Sequence, residues 1–104
     1  RISSRQDSRI RPGNLVKSRT TAGFREMFAD LPKPIQEQTR KAYRQFKADP
    51  SYPSLRFKKV HPKLPIYSAR INKDYRAVGQ DEEDTVIWFW VGSHAEYDLL
   101  LDQL

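Results

Sequence analysis

Two arginines six positions apart, Arg70 and Arg76, flank the polar stretch Asn72-Lys73-Asp74. His94 and Tyr97 follow near the C-terminal end; Arg56, Lys58 and Lys59 precede the pair, and Tyr75 adjoins Arg76. These side chains are cations, one ready proton carrier and phenols. Together they suit cleavage of an RNA phosphodiester. In that reaction a base removes the 2′-OH proton, cations stabilise the charged phosphorane, and an acid protonates the leaving oxygen. Histidine is the natural proton carrier near neutral pH, and arginine holds phosphate through paired N–H donors.

Each of these residues also has a plain structural reading. Arg70 and Arg76 are solvated strand residues unless the hairpin register brings them together. A three-residue loop that pairs Ile71 with Tyr75 sets Arg70 opposite Arg76, whereas a two-residue loop that pairs Asn72 with Tyr75 does not. Taken alone, His94 reads first as a first-turn residue of a capped helix, where the helix N-terminus would keep it neutral and available as a base. His61 precedes a proline and reads as a loop residue, with a His61–His94 acid–base pair as the alternative. Trp88 and Trp90 fall on one face of a strand and Ile87, Phe89 and Val91 on the other. Core packing is the main reading for both sets, with base stacking or partner binding open to the tryptophan face.

Composition narrows the chemistry further. The 104 residues contain no cysteine, which excludes disulfides, thiolate zinc sites, iron–sulfur clusters and a cysteine nucleophile. The two histidines, 33 positions apart, argue against a histidine-dominated metal site, and no metal or cofactor is expected. Walker, dinucleotide-binding and serine-nucleophile motifs are absent from the sequence. No apolar run approaches the length that crosses a bilayer. At 38% hydrophobic and 31% charged residues, the composition is that of a small globular domain.

The net charge of +6 is unevenly placed. Residues 1–20 carry +5, residues 33–76 carry +9, and residues 77–104 carry −7. A fold that gathers the middle segment on one face attracts polyanions. The alternative is mutual neutralisation of the two halves. Residues 1–14 (RISSRQDSRIRPGN) lack hydrophobic periodicity and are expected to form a disordered basic tail, an expression remnant or processed end, ahead of one domain over residues 15–104.

The elements that must position these side chains follow from periodicity. Residues 15–20 suit a short edge strand. Phe24, Met27, Phe28 and Leu31 form one helical stripe, capped by Thr20 or Thr21 and ended by Pro32. Pro34 suits the first turn of a second helix, whose buried stripe is Ile35, Thr39, Ala42, Tyr43 and Phe46. The period then changes to two. Strands are expected over 55–60, 66–71, 75–80 and 85–91, with a polar turn at Asp81–Asp84 and Gly92 ending the last strand. Ser93-His94-Ala95-Glu96 has capping-box spacing and starts a short helix bearing Leu99, Leu100, Leu101 and Leu104. The fold class is α+β: an N-terminal helical hairpin packed on a mostly antiparallel 3–4-stranded sheet, with a short C-terminal helix.

In this order and spacing the chain resembles the RelE/ParE superfamily of bacterial toxins, in its RelE/HigB-like part. The resemblance covers residues 15–104 and rests on the helical hairpin from Phe24 to Phe46 and on Ser54-Leu55-Arg56-Phe57-Lys58. It rests further on Tyr67-Ser68-Ala69-Arg70-Ile71, on Asp74-Tyr75-Arg76-Ala77-Val78, and on the ending Trp90-Val91-Gly92-Ser93-His94-Ala95-Glu96-Tyr97. It implies a type II toxin in the cytoplasm, a cognate antitoxin that masks it, and metal-independent cleavage of mRNA on the ribosome. On that reading His94, Arg76, Arg70 and Tyr97 are catalytic, and Lys58, Lys59, Arg56 and Tyr75 bind substrate. Relatives of the ParE type share the fold and inhibit DNA gyrase instead, so gyrase is the alternative partner. No membrane partner is implied.

Overall fold

The computed structural model describes residues 17–104; the expected basic tail and the start of the first strand at Leu15 and Val16 lie outside the described residues. The elements are β1 (Lys17–Thr20), α1 (Ala22–Ala29), α2 (Lys33–Ala48), a 3-10 turn (Pro53–Leu55), β2 (Lys58–Lys59), β3 (Ile66–Arg70), β4 (Tyr75–Glu82), β5 (Thr85–Ser93) and α3 (His94–Gln103). The sheet order is β1-β5-β4-β3-β2. Every pairing is antiparallel except that of β1 with β5. The sheet has five strands because two short ones, of four and two residues, complete its edges.

The helical hairpin covers one face of the sheet and α3 the other. Thr21 caps α1, its hydroxyl accepting the Phe24 N–H at 3.0 Å. Helix α1 ends at Ala29, before Pro32. Gln36 reaches back from α2 and donates its amide to the carbonyls of Phe28, Ala29 and Leu31 at and just beyond the helix end. That exchange ties the corner of the hairpin. Phe46 anchors α2 in the core, with its ring 4.9 Å from Phe57 and 5.1 Å edge-on to Trp88. Aromatic pairs of this kind contribute about 0.5–1.5 kcal/mol each beyond their buried area.

Three sequence expectations need correction. Residues 55–60 are not one strand. Pro53 opens a 3-10 turn, Leu55 is driven into the core, and Arg56 adopts the left-handed region at φ 45°, so only Lys58 and Lys59 pair with β3. The polar turn is confined to Glu83 and Asp84, at φ 47° and 69°. Positive φ at both central residues is the geometry that lets a two-residue hairpin match strand twist. Accordingly β4 runs on to Glu82, and β5 runs one residue past Gly92 to Ser93.

The third correction concerns the tryptophans. Val78 pairs with Trp90 while Gly79 pairs with Trp88, so Phe89 is an extra residue, a β-bulge. One extra residue reverses the alternation. Trp88 therefore packs under the helical hairpin with Phe24, Phe46 and Val91. Trp90 lies on the opposite face with Phe89, Val78 and Tyr97. Trp88 is almost fully buried, and its indole N–H donates to Ser18 Oγ of β1 at 3.0 Å, which satisfies its polar atom and fixes β1 at the edge.

Gly79 is a steric requirement of this packing. A Cβ there would sit 2.9 Å from Trp88 Cε3 and 3.0 Å from Val86 Cγ1. Gly79→Ala is expected to lower stability by about 1–3 kcal/mol, the usual cost of overpacking a core. Urea unfolding followed by tryptophan fluorescence measures it, and an unchanged midpoint would contradict the packing described.

Candidate active site

The β3–β4 connection has the three-residue register. Ile71 N–H donates to Tyr75 O at 3.1 Å, and Arg70 lies directly opposite Arg76. The loop is stabilised by Asn72, whose Oδ1 accepts the backbone N–H groups of Asp74 at 2.7 Å and Tyr75 at 3.0 Å. This is an Asx-type turn, which suits asparagine because its short side chain can reach donors two and three residues on. Directly opposed residues place their Cβ atoms roughly 5 Å apart on one face. Two cations are thus held side by side on the face that α3 covers.

Arg76 is anchored by its own turn. Its Nη1 donates to Asn72 O at 2.6 Å and to Tyr75 O at 3.0 Å. Nη2 and Nε have no partner among the described residues, so the guanidinium keeps donors for a ligand. Burial holds Arg76 below its ordinary pKa, and the facing Arg70 lowers it further. Tyr97 opposes that shift, Arg56 adds to it, and Asp98 opposes it. Arg70, Arg56, Tyr97 and Asp98 thus lie close enough to act on the Arg76 charge. An arginine remains protonated under any physiological condition, so the net effect is a concentrated positive charge without a full set of counterions.

His94 is the first residue of α3. Ser93 caps the helix by accepting the Glu96 N–H at 3.3 Å, and Glu96 Oε1 in turn accepts the Ser93 N–H at 3.1 Å. The His94 N–H donates to Asp74 O at 2.7 Å, which joins the start of α3 to the turn that holds Arg76. The imidazole is 47% exposed, and its Nδ1 lies 3.3 Å from Asp98 Oδ2. With Nδ1–H donating to Asp98, Nε2 carries the lone pair and is open to a substrate proton. Tyr97 is buried, with its ring edge-on to His94 at 5.7 Å between centroids and tilted against Trp90 at 6.4 Å.

The structure thus brings together Arg70, Arg76, Arg56, Tyr97 and His94. Lys58 pairs with Ser68 and so shares the face of Arg70. Lys59 pairs with Tyr67 and points to the other face. Tyr75 also faces away from Arg76 and lines a cleft with Met27 and Leu31 of the helical corner and Leu99 of α3. His61 is remote from His94. Its Nδ1 accepts the N–H groups of Lys63 and Leu64, and its Nε2 bonds Leu104 O at 3.2 Å. Since α3 starts at His94, the two rings are separated by about the length of that helix, roughly 15 Å. A His61–His94 pair is therefore excluded.

Comparison with known proteins places the domain in a family. The family model of the ParE-like toxin domain matches residues 33–98. The chain belongs to the ParE-like toxin domain family. Similar solved structures include the RelBE2 toxin–antitoxin complex of Mycobacterium tuberculosis, at 21% identity and TM-score 0.63 over 78% of this chain and 93% of that one. The RelB–RelE antitoxin–toxin complex of Methanococcus jannaschii is similar at 19% identity and TM-score 0.62, over 77% and 95% of the two chains. The YoeB/ParE toxin of Agrobacterium tumefaciens is similar at 14% identity and TM-score 0.60, over 75% and 98%. At these identities the likeness is one of fold. None of the curated proteins matches.

Sequence reasoning missed two features of this ParE-like domain. Asp98, the partner of His94, was legible as an i, i+4 pair once His94 is placed on a helix. The left-handed backbone at Arg56 carries no local signal because the position lacks glycine or asparagine. Asn72 is the residue on which the site geometry turns. Asn72→Ala removes both acceptor bonds in the loop and is expected to cost about 1–2 kcal/mol in urea unfolding. Asn72→Asp keeps the acceptors and is expected to retain most of that stability. Equal losses in the two variants would show that the turn does not depend on Oδ1.

Proposed function

We propose that this chain is the toxin of a type II toxin–antitoxin system and a metal-independent endonuclease that cuts mRNA on the ribosome. The observation that carries the reading is Arg70 set directly opposite Arg76, beside the His94–Asp98 pair at the end of β5. His94 Nε2 takes the proton of a ribose 2′-OH. The 2′-oxygen then attacks phosphorus, and the developing negative charge is met by Arg76 and Arg70, with Arg56 and Lys58 drawing in the strand. The bond from phosphorus to the 5′-oxygen breaks, and that oxygen receives a proton from the imidazolium. The products are a 2′,3′-cyclic phosphate and a free 5′-hydroxyl. Tyr97 supports the His94 ring and faces Arg76, which keeps acid–base and charge-stabilising groups in one orientation.

The antitoxin is part of the same proposal. The mycobacterial and archaeal relatives are described as toxin–antitoxin complexes, and an exposed cationic face of this kind needs masking until it acts. The ribosome supplies ordered mRNA at the open flank of the site and places the action in the cytoplasm. No helix among the described residues is long and apolar enough to cross a membrane. A second reading is favoured by the family model itself, which is ParE-like: inhibition of DNA gyrase without RNA cleavage.

Primer extension on a defined mRNA in reconstituted translation separates the two readings. Wild-type protein is expected to produce discrete cuts that require ribosomes. His94→Ala and Arg76→Ala are each expected to reduce cutting about 100-fold or more, the usual scale for losing an acid–base group or a charge-stabilising donor, and both should relieve growth arrest. Asp98→Asn should reduce the rate less, because it orients the imidazole without touching substrate. Intact mRNA together with inhibited gyrase supercoiling would establish the second reading instead.

A further inference from the structure

Arg70 faces a second space besides the site it shares with Arg76. On its far side a cleft of about 280 Å³ opens between α2 and the β3–β4 turn, lined by Gln38, Lys41, Gln45, Ser54, Arg70 and Asn72. Its character differs from that of the hollow of about 240 Å³ between the hairpin and the sheet, which is walled by Phe24, Phe46, Trp88 and other core residues. The cleft beside Arg70 is walled by amides, a hydroxyl and two cations, with Ala42 and Ile71 as its apolar lining, and no carboxylate lines it.

Several of these groups are held in place, and others are unused. Asn72 Nδ2 donates to Gln38 Oε1, which ties α2 to the turn that anchors Arg76. The side chains of Lys41, Gln45, Ser54 and Arg70 make no hydrogen bond or ion pair with the described residues. Gln45 and Arg70 are nevertheless half-buried. A partly desolvated amide and guanidinium with free donors, opening on one polar space, are groups prepared for a ligand. The two cations set its charge as negative. An amide offers a donor and an acceptor together, the pattern that complements a base edge.

We propose that this cleft holds the nucleotide adjacent to the scissile phosphate, with Lys41 and Arg70 on its phosphate and Gln45 and Ser54 on the edge of its base. The proposal rests on the reading of the site as an RNA nuclease, and it adds which side chains select the sequence that is cut. Arg70 is the link, because it borders both spaces. A single strand with one phosphate at Arg76 continues past Arg70 into the cleft. Single-stranded RNA is read through unstacked bases whose edges are accessible, and a cleft at the edge of the sheet meets that requirement.

The test uses binding, so that it does not depend on cleavage. Uncleavable trinucleotides, 2′-O-methylated at the central ribose and differing only in one terminal base, are titrated into full-length protein labelled for NMR. Wild-type protein is expected to show shifts of the Gln45 side-chain amide and a base preference of about 5- to 100-fold, the range of one good amide–base contact. Gln45→Ala should flatten that preference. Lys41→Ala should weaken every trinucleotide alike and reduce the slope of affinity against salt by about one ion. Both positions are on a helix and alanine is the best helix former, so the fold is retained. The proposal is overturned if the Gln45 amide does not respond, or if both variants bind every trinucleotide as the wild type does. Responses at Lys41 and Gln45 from a protein that cuts no mRNA on ribosomes would uphold the cleft and reject the nuclease reading.

Discussion

The loop from Ile71 to Tyr75 holds the rest of the site together. Asn72 closes it through two acceptor bonds, and its carbonyl receives the Arg76 guanidinium. Its amide reaches Gln38 on α2, and the carbonyl of Asp74 receives the first N–H of α3. A helix from each face of the sheet and the central arginine therefore all depend on five consecutive residues. The loop also sets the register that opposes Arg70 to Arg76. A slip by one residue would send one arginine to the hairpin face, among Ala69, Ala77 and Phe46, where a charge has no place.

Opposed arginines are unfavourable as isolated structure. Like charges directly across a strand pair repel, and burial of Arg76 adds to the cost. Arg56 contributes a third positive charge from a backbone conformation that side chains other than glycine seldom adopt. Proteins concentrate such violations of local preference where function requires them. An anion placed among these groups relieves the repulsion and satisfies the free guanidinium donors. In the proposed cleavage a charged phosphorane does so more fully than a ground-state phosphate, and that difference is what would lower the barrier.

Helix α3 is what turns this face into a site instead of a bare patch. At its start the capping box and the Asp74 carbonyl fix His94; near its end Leu104 meets His61. Between them Tyr97, Leu100 and Leu101 pack on Val78, Trp90 and Ile66. The β-bulge at Phe89 makes that packing possible by turning Trp90 toward α3 while leaving Trp88 under the hairpin. The His94–Asp98 pair is exposed and adds little to stability. Its effect, on the proposed function, is to orient the imidazole.

Much of the fold was legible from local chemistry. The helical stripes from Phe24 and Ile35, the S-x-x-E capping box and the alternation along β3 and β4 each follow from periodicity or from a side chain reaching its own backbone. The candidate residues Arg70, Arg76, His94 and Tyr97 were legible as types. Where local preference and packing disagree, the sequence was silent. Leu55 is drawn into the core and breaks the apparent strand over 55–60, and Phe89 is accommodated as an extra residue that parts Trp88 from Trp90. Neither leaves a local mark, because both depend on the volume available between layers. By itself the sequence determined the identity and order of the elements and the chemistry they could carry, since capping and amphipathic patterning act over a few residues. Only the tertiary structure decided which cations share a face, that His61 lies far from His94, and that Arg70 borders a second polar cleft. Those outcomes rest on strand register and layer packing between residues distant in the chain.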